Sequence, residues 1–280
     1  MLYPPLRTLF SNSSNDEYYS HILLIPFVSA YLIYLKRKSI LSSATYSIKA
    51  GVVVMISGLI FYGIGFSPTI AMFNQNDRSS LLIFSALLFW IGSFILLYGI
   101  KNFREALFSL LFLGFMIPLP SVVMEKTIFF LQSGSTELVN IFLKLTGLTF
   151  LRENFVFHLP GISIEVAKQC SGIRSSMALL ITATLAAYLF LGTTWRRLLL
   201  LLSIFPLVIL KNGIRILTLS LLAIYVDERI LTNGFLHKSG GFVFYIPVLL
   251  LLGLFLWILR KQEQKRRGPV TLQETIQHEA

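Results

Sequence analysis

The only cysteine of the chain, Cys170, lies in the stretch Ile162 to Ser176, ISIEVAKQCSGIRSS. Ser171 and Gly172 follow it, and Arg174 stands four residues on. A thiol attacks a carbonyl as its thiolate, which is favoured at a helix N-terminus or beside a cation. Ser171-Gly172 reads as an entry into a helix, and Arg174 shares a face with Cys170 if the helical turn begins early. A lone cysteine in an apolar chain is ordinarily a small buried filler. The Cys-Ser-Gly-x-Arg setting is what argues for chemistry.

Two further residues complete a chemical kit. Arg215 closes the pentapeptide Lys211-Asn212-Gly213-Ile214-Arg215 inside an otherwise apolar run. A charge in such a run is costly and usually functional, although an arginine near the interface also snorkels. Asn212 stands about one helical turn before Arg215 and is a second donor. His237 lies between Asp227 and Gly241, ahead of a helix that begins at Phe242; taken by itself it reads as an ordinary loop histidine. Together, a thiolate attacks a peptide carbonyl, an imidazole manages the proton, and a guanidinium stabilises the oxyanion. Arginine suits the last role because it stays charged and offers directed donors. His158, between Phe157 and Leu159, reads as a structural strand position, and His278 belongs to the tail. No histidines and carboxylates have metal-ligand spacing and no glycine-rich phosphate loop is present, so neither metal nor cofactor is expected.

The elements around Cys170 follow from periodicity. Ile162, Ile164 and Val166 alternate with Ser163, Glu165 and Ala167, and Phe155, Phe157 and Leu159 alternate upstream, with the turn pair Pro160-Gly161 between. The pattern predicts a β-hairpin over 155–167. After Ser175 comes an apolar helix, MALLITATLAAYLFL, running to about Leu191. The cysteine thus joins a small polar β-element to a hydrophobic helix.

Composition places the whole in a membrane. Of 280 residues, 55% are hydrophobic and 13% charged, and mean hydropathy is +0.74. Several windows reach the length of apolar helix that crosses a bilayer. The net charge of +11 does not indicate nucleic acid, because the basic residues cluster beside apolar segments, at Lys36 to Lys38, Arg196-Arg197 and Arg260 to Arg267. Such clusters orient a membrane protein and meet anionic lipid headgroups. A single cysteine forms no intramolecular disulfide, and no cleavable signal peptide is expected before the apolar run at Ile22.

The expected fold is an all-α integral membrane protein with a small β-hairpin and a surface helix on the outer face. A polar segment (1–21) precedes a multi-pass domain (22–259) and a basic cytoplasmic tail (260–280). Helices are expected at 22–35, at 50–66 with close-packing glycines, at 81–100, and at 106–124 with a break at Pro118 and Pro120. Residues 125–154 carry apolar positions at helical spacing interrupted by Gln132, Glu137, Asn140 and Lys144. That pattern suits a helix lying on the membrane surface or covering the hairpin. Residues 198–226 are expected to be kinked at Pro206 and interrupted by 211–215, and 243–259 is the last span. The segments beginning at Lys36, Lys101, Thr193 and Arg260 are taken as cytoplasmic, and 125–169, with balanced charge, as outer. Seven crossings result, or eight with a further re-entrant or surface segment. Cys170, Arg215 and His237 then face the outer side of a cell membrane, the periplasmic side of an inner membrane.

At these residues the sequence resembles the exosortase/archaeosortase family of membrane cysteine transpeptidases. The matching pieces are CSGIR at Cys170 to Arg174, NGIR at Asn212 to Arg215 and the His237 segment, with weaker matches at Ser20 to Pro26 and Ile117 to Pro120. The resemblance spans residues 16 to 259. It implies an enzyme, usually drawn with about eight helices, that cuts a C-terminal (PEP-CTERM-like) sorting signal from exported proteins and transfers them to an acceptor. The nucleophile maps to Cys170, the arginine to Arg215 and the histidine to His237, supported by Arg174 and Asn212. His21-Ile22 stands where the family usually has histidine-glycine, so His21 receives no role. The implied partners are exported proteins with a C-terminal hydrophobic helix and basic tail, membrane lipids, and a surface acceptor such as a lipid or exopolysaccharide. Nucleic acid is not among them. A transporter lined by Arg215 and the broken 198–226 helix is one alternative, and a non-enzymatic scaffold for surface-polymer export is another.

Overall fold

The computed structural model of the protein describes residues 20–41, 45–67, 74–168, 172–227 and 235–267. It is mostly helical, with one small sheet, and divides into two compact units, Met1–Met124 and Glu125–Ala280. Among the described residues, four helical stretches are long and apolar enough to cross a bilayer: Ile48–Gly65, Gln75–Met116, Thr194–Tyr225 and Val243–Lys265. Ile25–Leu35 and Ser175–Phe190 are shorter apolar helices.

In the first unit, a 3-10 turn (Ser20–Leu23) precedes α1 (Ile25–Leu35), the short α2 (Arg37–Leu41), α3 (Ile48–Gly65) and α4 (Gln75–Phe112). Gly51, Gly58 and Gly65 recur every seven residues on α3. A Cβ at each would run into Leu96, the backbone of Ser85 and Phe89, and Leu82, respectively. The descending partner numbers make the pair antiparallel, and the glycine seam lets the two backbones close in. Asn74 caps α4, its Oδ1 accepting from the Asp77 amide at 2.9 Å.

Helix α4 is two arms rather than one rod. Gly99 has φ 84 and ψ 166, outside helical space. A straight helix would hold residues 76 and 119 ~65 Å apart. Yet Asn76 Nδ2 donates to the Leu119 carbonyl at 2.8 Å, Ser80 Oγ to the Pro118 carbonyl at 2.7 Å, and the Asp77 carboxylate accepts from the Ser121 amide. The arms, 75–98 and 100–112, therefore fold back at Gly99, as separate helices around the Lys101–Arg104 cluster require. Ile40, Ile91, Phe94, Ile95, Ala106 and Leu110 form the core between them. A 3-10 turn (Leu113–Met116) and the bend at 117–120, which holds Pro118 and Pro120, lead to α5 (Ser121–Thr146).

The second unit contains the rest of α5, strands β1 (Leu151–Glu153), β2 (Val156–Leu159) and β3 (Ile162–Glu165), and helices α6 (Ile173–Phe190), α7 (Thr194–Leu202), α8 (Ile204–Tyr225) and α9 (Phe235–Arg267). The hairpin is present, with Leu159 opposite Ile162 across Pro160-Gly161 and Gly161 at φ 82. A further strand, β1, makes the sheet three-stranded in the order β1-β2-β3, joined through Asn154 at φ 52. Short-chain Asn tolerates that left-handed conformation. Arg152 on β1 forks onto Glu137 of α5 at 2.6 and 3.1 Å.

One expectation holds and two change. Of the two places expected for α5, it takes the one covering the hairpin: Val139 and Leu143 pack against Phe157, Leu159 and Val166. It also lies along α8, where Phe130 stacks edge-on with Phe205, Gly134 abuts Ile209, and Gly213 abuts Leu138. The constant offset means that α5 runs alongside α8 in the same direction over two turns. Its buried polar residues, Gln132, Ser135 and Thr136, face the protein rather than water. Residues 211–215 do not interrupt α8, which is continuous from Ile204 to Tyr225; the break falls before it, at Ser203. Finally, α9 begins at Phe235 rather than near 243 and carries Pro247 inside it.

At the far end, Glu263 of α9 is 6% exposed. It accepts from the Gly192 amide at 3.1 Å and Thr193 Oγ1 at 2.8 Å, and lies 3.6 Å from Arg196. One carboxylate thereby holds the α6–α7 junction onto α9.

Gly99→Ala should be among the most damaging glycine substitutions in the first unit. A side chain there adopts a positive φ, worth ~1–2 kcal/mol by itself, and strikes the Thr45 carbonyl. Gly63→Ala, with nothing near its Cβ, should leave thermal stability in detergent unchanged. Equal melting temperatures for the two variants would disprove the reversal at Gly99.

Candidate active site

The segment that carries the cysteine is held at both ends. On the incoming side, β3 runs into Val166, which is fully buried; its amide donates to the Phe155 carbonyl at 2.9 Å. Its carbonyl accepts from Gln132 Nε2 of α5 at 2.6 Å. A buried amide side chain without a partner would be costly, and the carbonyl just past the strand supplies one. Around it, Phe157, Leu159 and Val166 pack with Val139 and Leu143 of α5 and Ile216 of α8.

On the outgoing side, Gly172 caps α6 with φ 75. Its carbonyl accepts from Ser175 Oγ at 2.9 Å and from the Ser176 hydroxyl and amide at 2.8 and 2.9 Å. The side-chain amide of Asn212 fills the space where a Cβ of residue 172 would stand, 2.6 Å from it. Glycine is required twice here, by backbone conformation and by this close approach. Asn212 is completely buried. Beside it Lys211, 4% exposed, donates from Nζ to Ser175 Oγ. Thus the Asn-Gly-Ile-Arg and Cys-Ser-Gly-Ile-Arg stretches, some forty residues apart in the chain, meet at Gly172.

Cys170 lies outside the described residues, as do the side chains of Arg174 and His237. Arg174 is the second residue of α6, and His237 the third residue of α9, within a helix rather than a loop. Arg215 is half-buried on α8, one turn beyond Lys211 on the same helical face. The structure brings Asn212 to Gly172, two residues after Cys170 in the chain. His158 is engaged in the sheet, its Nδ1 2.8 Å from Ser163 Oγ and its Nε2 3.6 Å from Glu153.

Sequence reasoning passed over Gln132 and Lys211. Lys211 had a signal, an ionisable group deep in an apolar helix, but it stood as part of an interruption that α8 does not contain. Gln132 had none beyond polarity at an apolar spacing.

Gly172→Ala should destabilise the protein, and Asn212→Ala should relieve part of that loss. Because the two residues touch, a double-mutant cycle should show a favourable coupling of ~1 kcal/mol. Strict additivity in thermal unfolding would mean that Asn212 does not pack on residue 172.

No curated protein and no solved structure matched the chain. The family model described as Transmembrane exosortase (Exosortase_EpsH) matches residues 12–257. That span takes in both units and includes the Gly172 turn, Asn212 and Arg215. The chain belongs to the transmembrane exosortase family.

Proposed function

We propose that the protein is a membrane cysteine transpeptidase that cleaves a C-terminal sorting signal of PEP-CTERM type from exported proteins and passes them to a surface acceptor. Family membership supports the class of activity. The observation that carries the reading to particular residues is the seating of Gly172 on Asn212. It joins the turn following Cys170 to the helix that bears Arg215.

In this mechanism Cys170 attacks the scissile carbonyl and forms a thioester with the exported protein as the C-terminal signal leaves with a proton. The thioester is then opened by the acceptor nucleophile, or by water, and the thiol is restored. Arg215 stabilises the oxyanion in both steps, Asn212 holds the turn, and His237 moves the proton. His237 sits in the first turn of α9, at the opposite end of that helix from the Glu263 latch, which meets the end of α6. Gly172 starts α6. By this parallel pairing of α6 and α9, supported by the shared core of α6, α8 and α9, the starts of α6 and α9 gather at one end of the second unit.

Taking α5 as a crossing, together with the two arms of α4, the chain crosses eight times: α1, α3, α4 twice, α5, α6, α7–α8 and α9. With the site outside and the tail in the cytoplasm, the N-terminus is then also cytoplasmic. The basic segments at Thr193 and Arg260 keep their cytoplasmic side, whereas those at Lys36 and Lys101 come to the outer side, against the charge bias.

Co-expression with exported proteins that end in an apolar helix and basic tail tests the reaction. Cys170→Ala should accumulate uncut precursor while remaining folded; normal processing would end the cysteine-enzyme reading. Arg215→Lys keeps the charge but loses the fork, and should slow processing by roughly a hundredfold. His237→Ala should be inactive while His158→Ala is not. Sidedness has its own measurement. In intact spheroplasts an impermeant maleimide should label Cys170, and should label Lys38→Cys in a Cys170→Ala background. Labelling of Cys170 alone would restore the seven-crossing topology.

A further inference from the structure

Lys211 is a buried charge of the second unit that the proposed reaction leaves unused. It is 4% exposed on a helix long and apolar enough to span a bilayer. A lysine in that position is costly unless it has work or a partner. Among the described residues no carboxylate pairs with it. Its hydrogen bond goes to Ser175 Oγ, a neutral hydroxyl that in turn donates to the Gly172 carbonyl at 2.9 Å. The chain N–H⁺···O–H···O=C polarises along its length and ends on the residue two positions after Cys170. Asn212, the next residue of α8, occupies the other side of the same glycine.

We propose that Lys211 is a positioning residue of the site: through Ser175 it fixes the Gly172 turn, and its buried ammonium places a positive charge there. The inference rests on the reading of Cys170 as the reactive group. A cation at the turn favours a thiolate over a thiol. Burial makes the charge more effective than a surface lysine, because little water screens it. Burial also speaks against a large external ligand for Lys211, since the ammonium is closed off from solvent. Arg215, one turn along α8, is the neighbouring cation on this face and stays in place in every variant below.

The single cysteine allows a test that needs no substrate. On purified full-length protein in detergent, the rate of Cys170 alkylation is measured with neutral iodoacetamide and with anionic iodoacetate. A local cation speeds the anionic reagent selectively, whereas a change in exposure or folding alters both rates alike. Lys211→Met, an unbranched apolar replacement suited to a buried site, should lower the iodoacetate-to-iodoacetamide ratio at least about threefold. Lys211→Arg should keep the ratio within about twofold of wild type. Ser175→Ala keeps the charge and cuts the relay. It should leave the ratio near wild type and raise amide hydrogen exchange in the first turn of α6, as Lys211→Met should also do. An unchanged ratio in Lys211→Met, or equal slowing of both reagents, overturns the proposal, as does a reduced ratio that Lys211→Arg fails to restore. Unchanged exchange in both Lys211→Met and Ser175→Ala overturns the positioning role. Failure of the transpeptidase reading shows separately, as normal precursor processing by Cys170→Ala.

Discussion

Polar side chains buried among apolar helices must find their partners inside the protein, because neither lipid nor a hydrophobic core offers any. In the second unit this constraint falls on Gln132, Lys211 and Asn212, and their partners lie on either side of the segment that carries the cysteine. Gln132 of α5 takes the Val166 carbonyl on the incoming side. Lys211 takes Ser175, and Asn212 lies against Gly172, on the outgoing side. The two clamps sit on different helices, so their separation is set by the α5–α8 seam. That seam is closed by a ring pair at Phe130 and Phe205 and by glycines at 134 and 213, where a larger residue would hold the helices apart.

The same physics explains which parts of the fold were legible in the sequence. Strict alternation with Pro160-Gly161 between the runs announces two strands, because only a sheet face has that period. The glycines of α3 announce a close helix contact because they recur at intervals that keep one face. Lys101 and Arg104 announce a chain reversal, since two charges do not sit at mid-bilayer without a purpose. Gly99 then supplies the backbone freedom for it. Strand β1 was not legible: Leu151 to Glu153 is too short for a period, and it pairs only because β2 is already in place.

Helix α5 covers the hairpin, one of the two places its pattern suggested; the other, a membrane surface, was suggested by its polarity. Gln132, Glu137, Asn140 and Lys144 lower its hydropathy, and low hydropathy argues for a place at the water interface. Polarity does not distinguish a side chain that faces water from one that faces a partner. Gln132, Ser135 and Thr136 are buried, and Glu137 is joined to Arg152 of the sheet. Lys211 and Asn212 were misread through their polarity, as a break in a helix rather than as its buried face. Helical backbone satisfies its own hydrogen bonds, so nothing obliges a charged pentapeptide in an apolar run to interrupt the helix. It has only to find partners for its side chains. The sequence singled out Cys170, Asn212, Arg215 and His237 by residue type alone, with no indication of what surrounds them. The groups that hold Val166 and the Gly172 turn, Gln132, Lys211 and Ser175, are recognisable only once α5, α6 and α8 are seen together.

This arrangement also fixes where stability and activity pull apart. A buried ammonium and two buried amides are seldom the most stable contents of an apolar interior; apolar residues of similar size are often neutral or better. A fold selected for stability alone would have filled positions 132, 211 and 212 with leucine or methionine. It would also have left the Val166–Gly172 segment tied only by its own backbone. A nucleophile on such a tether would sample many orientations, and the barrier to attack rises with each one that is unproductive. In the proposed reaction, clamps at Val166 and Gly172 from two interlocked helices would limit that freedom before a substrate arrives. The polar interior of the second unit is then best understood as a frame. The cost of burial falls on Gln132, Lys211 and Asn212, and in the proposed reaction the benefit falls to Cys170.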